Sequence, residues 1–386
     1  MFTILLMLGT CKRIIPEELS LTKENVLSLM KEWYLWNDTI PDINPDDYES
    51  PSAVLEALKL KDIDRWTKII GSDELGYLFS NASIVTHGIG WTWDSQDALM
   101  VGFVYPDSDP DIAGVERGWQ VVQINGQTVT RTNLNSILYD SLDVANSFTF
   151  TTSTGGSQQF SFTNKIITPI SIFYSDTFTC NSRKVGYLLV DNFFAQAKDE
   201  LQTQFQEFLN AGINELIIDV RYNESGVVEV SGYLANLIAG NIANNGPFVR
   251  YLFNDLKADD RNVIIRFKTE PESLTLERVF FITGEKTSGA AEVLINGILP
   301  CSIDVLIIGA PTAGRPVGII SHSFPDSTLL PVTYKMANRN NETDFFDGLA
   351  PDTIIPDDLT HALGDKEEAC LKEVIYYLEN GSFSPE

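Results

Sequence analysis

The chain is poor in the residues that build metal centres: it has three histidines, His87, His322 and His361, standing far apart, and four cysteines. No pair among Cys11, Cys180, Cys301 and Cys370 has metal-ligand spacing, so neither a metal nor any other cofactor is expected. With Cys11 assigned elsewhere, the other three cysteines are an odd set, which argues against a disulfide framework. Positive charge is also scarce. Lys and Arg number 27 against 53 Asp and Glu, a formal charge of -26. Such a chain repels phosphate backbones and shows no basic stripe, which excludes nucleic acid as an expected partner. Long hydrophobic runs are missing too. The apolar stretch at residues 1–9 is too short to cross a bilayer.

What is present is enough to fold: 386 residues, 44% hydrophobic and 21% charged, bury at least one sizeable core and suggest two or three domains. The opening run ends in Gly9, Thr10 and Cys11, similar to the hydrophobic core and cleavage box of a bacterial lipoprotein signal. On that reading residues 1–11 are a signal segment, Cys11 is the lipidated residue, and the protein is exported to the cell envelope and meets the membrane only through a lipid anchor. The alternatives are a buried N-terminal strand or a start further upstream.

Residues 12–82 read as a helical domain. Val26, Leu27, Leu29, Met30, Trp33 and Tyr34 share a broad apolar face, Thr22 is placed to cap it with Asn25 three residues later, and Pro51 opens a second helix to about residue 60. From residue 83 short alternating segments with glycine punctuation announce a β-rich module of about eighty residues, 83–165. Strands are expected at 99–105 and 119–124, with Asn125 and Gly126 as a tight hairpin turn, and at 148–152 and 158–162. Trp91, Trp93 and Trp119 suit the core of such a module or the lining of a peptide groove. Residues 166–386 then alternate apolar strands (185–190, 216–220, 279–283, 305–308) with amphipathic helices, the pattern of a layered α/β domain. Helices are expected at 289–299 and 366–378.

Three stretches, in this order, resemble the C-terminal processing, or tail-specific, serine peptidases. The first is Thr86-His87-Gly88-Ile89-Gly90-Trp91 followed by Arg117-Gly118-Trp119-Gln120-Val121-Val122-Gln123-Ile124-Asn125-Gly126, which looks like a PDZ domain. The resemblance implies that the amides of Gly88, Ile89 and Gly90 receive the terminal carboxylate of a peptide that adds as a strand to a sheet edge. The second is Leu216-Ile217-Ile218-Asp219-Val220-Arg221-Tyr222-Asn223-Glu224-Ser225-Gly226. By resemblance, Ser225 and Gly226 stand where the family has a glycine pair of the oxyanion hole, and the amide of Ala290 is a further donor.

The third stretch is Thr287-Ser288-Gly289-Ala290-Ala291-Glu292, then Gly309-Ala310-Pro311-Thr312-Ala313-Gly314-Arg315. The family reads Thr-Ala-Ser-Ala-Ser-Glu, then Gly-x-x-Thr-x-Gly-Lys, its nucleophile being the serine three residues before the glutamate. In that register Glu292 matches the family's glutamate, Gly289 takes the nucleophile position and Arg315 the general-base position. Glycine has no oxygen to attack with, and a guanidinium holds its proton and has no acceptor lone pair. A pseudoenzyme is the natural inference. The competing one is an active serine endopeptidase that uses Ser288, with Lys286 nearby, or a displaced nucleophile; otherwise Ser288 is a helix cap. The late Gly348-Leu349-Ala350-Pro351-Asp352 segment and Asp64-Arg65-Trp66 also resemble the family. The implied fold is a crotonase/ClpP-like α/β peptidase core with an inserted PDZ-like module and an N-terminal helical segment, and the implied partners are polypeptide C-termini or unfolded proteins.

Overall fold

A computed structural model of the chain describes residues 20–71, 83–224, 226–243 and 245–385. Cys11 and Ser225, expected as lipidation and oxyanion residues, lie outside the described residues. The chain folds as two compact units: Met1–Phe79 with Arg250–Ile264 and Val317–Ala337, and Ser80–Val249 with Ile265–Pro316 and Asn338–Glu386.

In the first unit the helix Lys23–Trp33 begins as expected. Asn25 N donates to Thr22 Oγ1 at 3.2 Å and Thr22 N donates to Asn25 Oδ1 at 3.2 Å, satisfying two of the amides that a helix start leaves open. Val26, Met30 and Trp33 turn inward. The second helix, Pro51–Leu58, has Ser50 as cap and proline in its first turn. The all-helical reading of 12–82 is corrected at its end. Lys68–Gly71 is a strand, antiparallel to Ser327–Leu330, which in turn pairs with His322–Ser323. Its hydrogen-bond partners come from near the far end of the chain, where no local periodicity can announce them. Asp64 is buried and accepts from Tyr34 Oη at 2.7 Å and from the amides of Trp66 and Thr67, so its work is structural.

The second unit contains a six-stranded sheet in the order Ile172–Cys180, Arg183–Val190, Glu215–Asp219, Arg278–Thr283, Asp304–Gly309, Thr353–Ile354. The first pair is antiparallel and the others parallel. Helices Ala197–Ala211, Val228–Ala243 and Ala290–Ile298 lie in the connections between the parallel strands. Leu216, Ile217 and Ile218 and the run Val279, Phe280, Phe281 and Ile282 are wholly buried, as strands covered on both faces must be. The last helix is Ala369–Asn380, starting three residues after the expected 366, because Glu368 serves as its cap and accepts from Leu371 N.

The same unit holds the β-rich module. Its antiparallel sheet runs Ile89–Trp93, Leu99–Val104, Gln120–Ile124, Ala145–Thr151, Ser157–Thr163, with Gln127–Thr128 folded back on Gln120–Ile124. Asn125 and Gly126 both have positive φ, 51° and 76°, as a two-residue hairpin of the primed type requires. Trp119 is buried with Val101, Val121, Phe148 and Phe150, while Trp91 and Trp93 pack against this core from partly exposed positions.

Candidate active site

The turn that leads from the strand Arg278–Thr283 into the helix Ala290–Ile298 is fastened from several sides. Thr287 Oγ1 donates to Val220 O at 2.8 Å, Ser288 N to Asn223 O at 2.9 Å, and Ala313 N to Thr287 O at 2.9 Å. The turn is thereby held against both the loop that follows Asp219 and the loop that follows Gly309. Glu292 completes the junction. Its carboxylate is buried in the first turn of the helix and accepts from Gly289 N at 2.9 Å, Gly314 N at 2.6 Å and Arg315 N at 2.8 Å, and from Thr312 Oγ1. Burial raises the Glu292 pKa, and the four hydrogen bonds oppose that rise.

One carboxylate therefore fixes position 289 to position 315. Among the described residues, chain neighbours aside, an ideal Cβ built on Gly289 would have one neighbour within 4 Å, Arg315 Cδ at 3.7 Å. The structure brings together the two positions that the sequence register pairs, and neither carries a group for nucleophilic catalysis. The backbone of Gly289, φ 56° and ψ −107°, lies where L side chains are strained. A sharp, strained turn from strand to helix is also how other hydrolases display a nucleophile. Gly289 stands at such a turn and has no side chain to display.

The oxyanion expectation concerns Ser225, Gly226 and Ala290. Gly226 lies beside Phe193 in a parallel bridge closed by Val227 N donating to Phe193 O at 2.9 Å. A Cβ on Gly226 would sit 2.3 Å from the Phe193 carbonyl carbon, so this approach needs glycine. Ala290 is the first residue of its helix, where amides lack partners within the helix.

Ser288 is not the cap it was expected to be. Gly289 occupies the cap position, and the helix start is satisfied by Glu292 reaching back to the Gly289 amide. Lys286 is turned to Glu224, with Nζ 3.7 Å from Oε1, and among the described residues no base is hydrogen-bonded to the Ser288 hydroxyl.

The family model of the peptidase S41 N-terminal domain matches residues 22–67, and that of peptidase family S41 matches residues 184–355. The chain belongs to peptidase family S41. A carboxyl-terminal-processing protease of Picosynechococcus sp. is 23% identical over 317 residues, covering 80% of this chain and 73% of that protein. Among solved structures, a Bacteroides fragilis protein assigned to the S41 proteases superposes with a TM-score of 0.72 at 24% identity, covering 92% of this chain and 96% of that one. The photosystem II D1 C-terminal processing protease gives 0.59 at 17% identity over 90% and 95%. At these identities the solved structures establish the S41 peptidase fold, of mixed α/β content.

Two arrangements in this S41 chain escaped the sequence reading. Arg221 is buried and binds Asp219 through Nε at 3.0 Å and Nη2 at 2.8 Å, Glu368 through Nη1 at 2.7 Å, and Asp357 through Nη1 at 2.8 Å. Arg117, from the β-rich module, reaches the same Asp357 at 2.6 Å and also meets Tyr222 Oη, tying module to core. The second arrangement is Asp191, buried and accepting from Tyr105 Oη at 3.1 Å and Asn192 Nδ2 at 3.2 Å. Burial pushes its pKa up to about 7. The only signal for the first was the spacing of Asp219 and Arg221 at a strand end. For the second there was none.

Proposed function

We propose that this S41 family member is an exported cell-envelope protein, lipid-anchored through Cys11, that binds polypeptide C-termini or unfolded chains without efficient hydrolysis of the peptide bond. The observation that carries the reading is the pairing of Gly289 with Arg315: the nucleophile position has no side chain, and its neighbour is a cation with no lone pair. In a serine–lysine mechanism the base takes the hydroxyl proton as the oxygen attacks the carbonyl. Here no proton is available to take and no group is available to take it. What the site retains suits binding: the Gly226 and Ala290 amides, and a forked guanidinium that matches a carboxylate. The β-rich module, read as PDZ-like, adds a sheet edge for extended polypeptide.

The test is incubation of the natural chain with unfolded casein, with binding followed by pull-down, cleavage by mass spectrometry, and labelling by a fluorophosphonate probe. Binding without cleavage or labelling is expected. Cleavage that Ser288→Ala abolishes would make the protein an endopeptidase with a displaced nucleophile.

A further inference from the structure

A loop that receives a carboxylate through backbone amides must keep those amides available. In the module two of the three expected amides, those of Gly88 and Ile89, are engaged. Gly88 N donates to Thr86 Oγ1 at 3.0 Å and Ile89 N donates to His87 Nδ1 at 3.2 Å. The His87 ring is buried, 5.0 Å from the Trp91 ring and 5.2 Å from that of Phe148. Burial lowers its pKa to about 4, which keeps Nδ1 an acceptor at neutral pH.

The charges at this edge run the same way. Ser108 stands directly against Gly88, between Asp107 and Asp109, and Asp111 follows in the same short turn of helix. Asp94 and Asp97 stand beyond the other end of the strand Ile89–Trp93. Against these five carboxylates stand Lys165, paired with Asp109 at 2.7 Å, and Arg131, paired with Asp97 at 2.7 Å. An arriving carboxylate meets like charge at both ends.

The strand itself is open. Ile89–Trp93 is the outer strand of its sheet, paired on one side with Leu99–Val104, and among the described residues no strand occupies its other side. Its residues 90–93 are partly exposed. We propose that this edge takes an internal, extended, lysine- or arginine-bearing segment of a polypeptide as an added strand and does not read a terminal carboxylate. The inference rests on the polypeptide-binding function above and assigns the mode and charge of the partner. Backbone pairing supplies the contact, and the acidic rim selects cationic segments.

The experiment uses the full chain and a fluorescein-labelled peptide of alternating valine and lysine, prepared with a free C-terminal carboxylate and as the C-terminal amide, read by anisotropy at low salt. The two forms are expected to bind within about twofold of one another, and a valine–glutamate peptide at least about tenfold more weakly. The Asp107→Asn, Asp109→Asn double variant, its circular dichroism unchanged, is expected to lose several-fold in affinity for the lysine peptide. Loss of about tenfold or more on amidation would overturn the inference and leave polypeptide binding standing. If neither peptide binds while unfolded casein does, the edge assignment falls alone; if casein does not bind either, both readings fall.

Discussion

Installing the missing pair, Gly289→Ser with Arg315→Lys, tests the site at its two decisive positions. The first cost is conformational, because serine at φ 56° and ψ −107° is strained by about 1–3 kcal/mol. Little steric cost is expected at the new Cβ: among the described residues, chain neighbours aside, it meets nothing nearer than Arg315 Cδ at 3.7 Å, and lysine at 315 is the smaller side chain. A native state of roughly 5–15 kcal/mol tolerates this, with a melting midpoint a few degrees lower. The gain is chemical. Serine alone has no base and lysine alone has no nucleophile, whereas together the base contributes roughly 10²–10⁴-fold over the unassisted hydroxyl. Cleavage of unfolded casein and fluorophosphonate labelling are to be compared for the natural chain, both single variants and the double variant. Only the double variant is expected to cut and to label, at the introduced serine. A folded, casein-binding double variant that does neither would refute the pairing, as would a natural chain whose cleavage depends on Ser288.

Glu292→Gln replaces an acceptor oxygen by a donor among four hydrogen-bond donors, orphaning at least one buried amide at a cost of about 1–3 kcal/mol. Urea unfolding measures the loss, and faster hydrogen exchange at Gly314 and Arg315 would locate it. Asp191 gives a pH test. Its folded pKa, about 7, lies above the unfolded value, so its contribution is full below about pH 4 and is lost as pH rises through 7, by up to about 4 kcal/mol. Glu224 raises this pKa and Lys286 lowers it, while Tyr105 and Asn192 donate to the carboxylate. Asp191→Asn is expected to become relatively more stable than the natural chain between about pH 4 and 7 in urea titrations, and parallel pH profiles would refute the assignment. Arg221→Ala leaves Asp219 and Glu368 as buried, unpaired carboxylates and is expected to cost about 3–5 kcal/mol, with Arg221→Lys recovering part of it. Equal stability of Arg221→Ala and the natural chain in urea would overturn this.

The core was legible where burial writes itself into composition. Residues 216–218 and 279–282 are unbroken apolar runs because both faces of a parallel strand are covered, and Asn125 with Gly126 marks a turn that few other pairs adopt. The strand Lys68–Gly71 was illegible because its partner, Ser327–Leu330, is remote in sequence. At the site, order and spacing placed Gly289 and Arg315 together, while the work of Glu292 depends on three amides from two segments and no spacing encodes it. The state of the Gly88 and Ile89 amides was equally hidden. It is set by where the side chains of Thr86 and His87 turn, which a Gly-x-Gly pattern does not specify.

On the proposed function geometry and chemistry have separated at this site, and the separation has a physical logic. Keeping Glu292 buried is locally enforced, since removing the carboxylate alone strands the donors that converge on it. That clamp holds Gly289 beside Arg315 whether or not a reaction takes place there. Glycine at 289 relieves the strain of the turn and opens the space a nucleophile would fill. In the family register proposed above, arginine at 315 puts a planar cation that stays charged where a base would stand. On the proposed function both residues disable attack on a carbonyl, and the site holds an oxygen anion or a polarised carbonyl through the proposed Gly226 and Ala290 amides. On the proposed function, this scaffold keeps what holds a chain in place without turnover, and affinity for polypeptide and hydrolysis of polypeptide should then be separable in one protein by two substitutions.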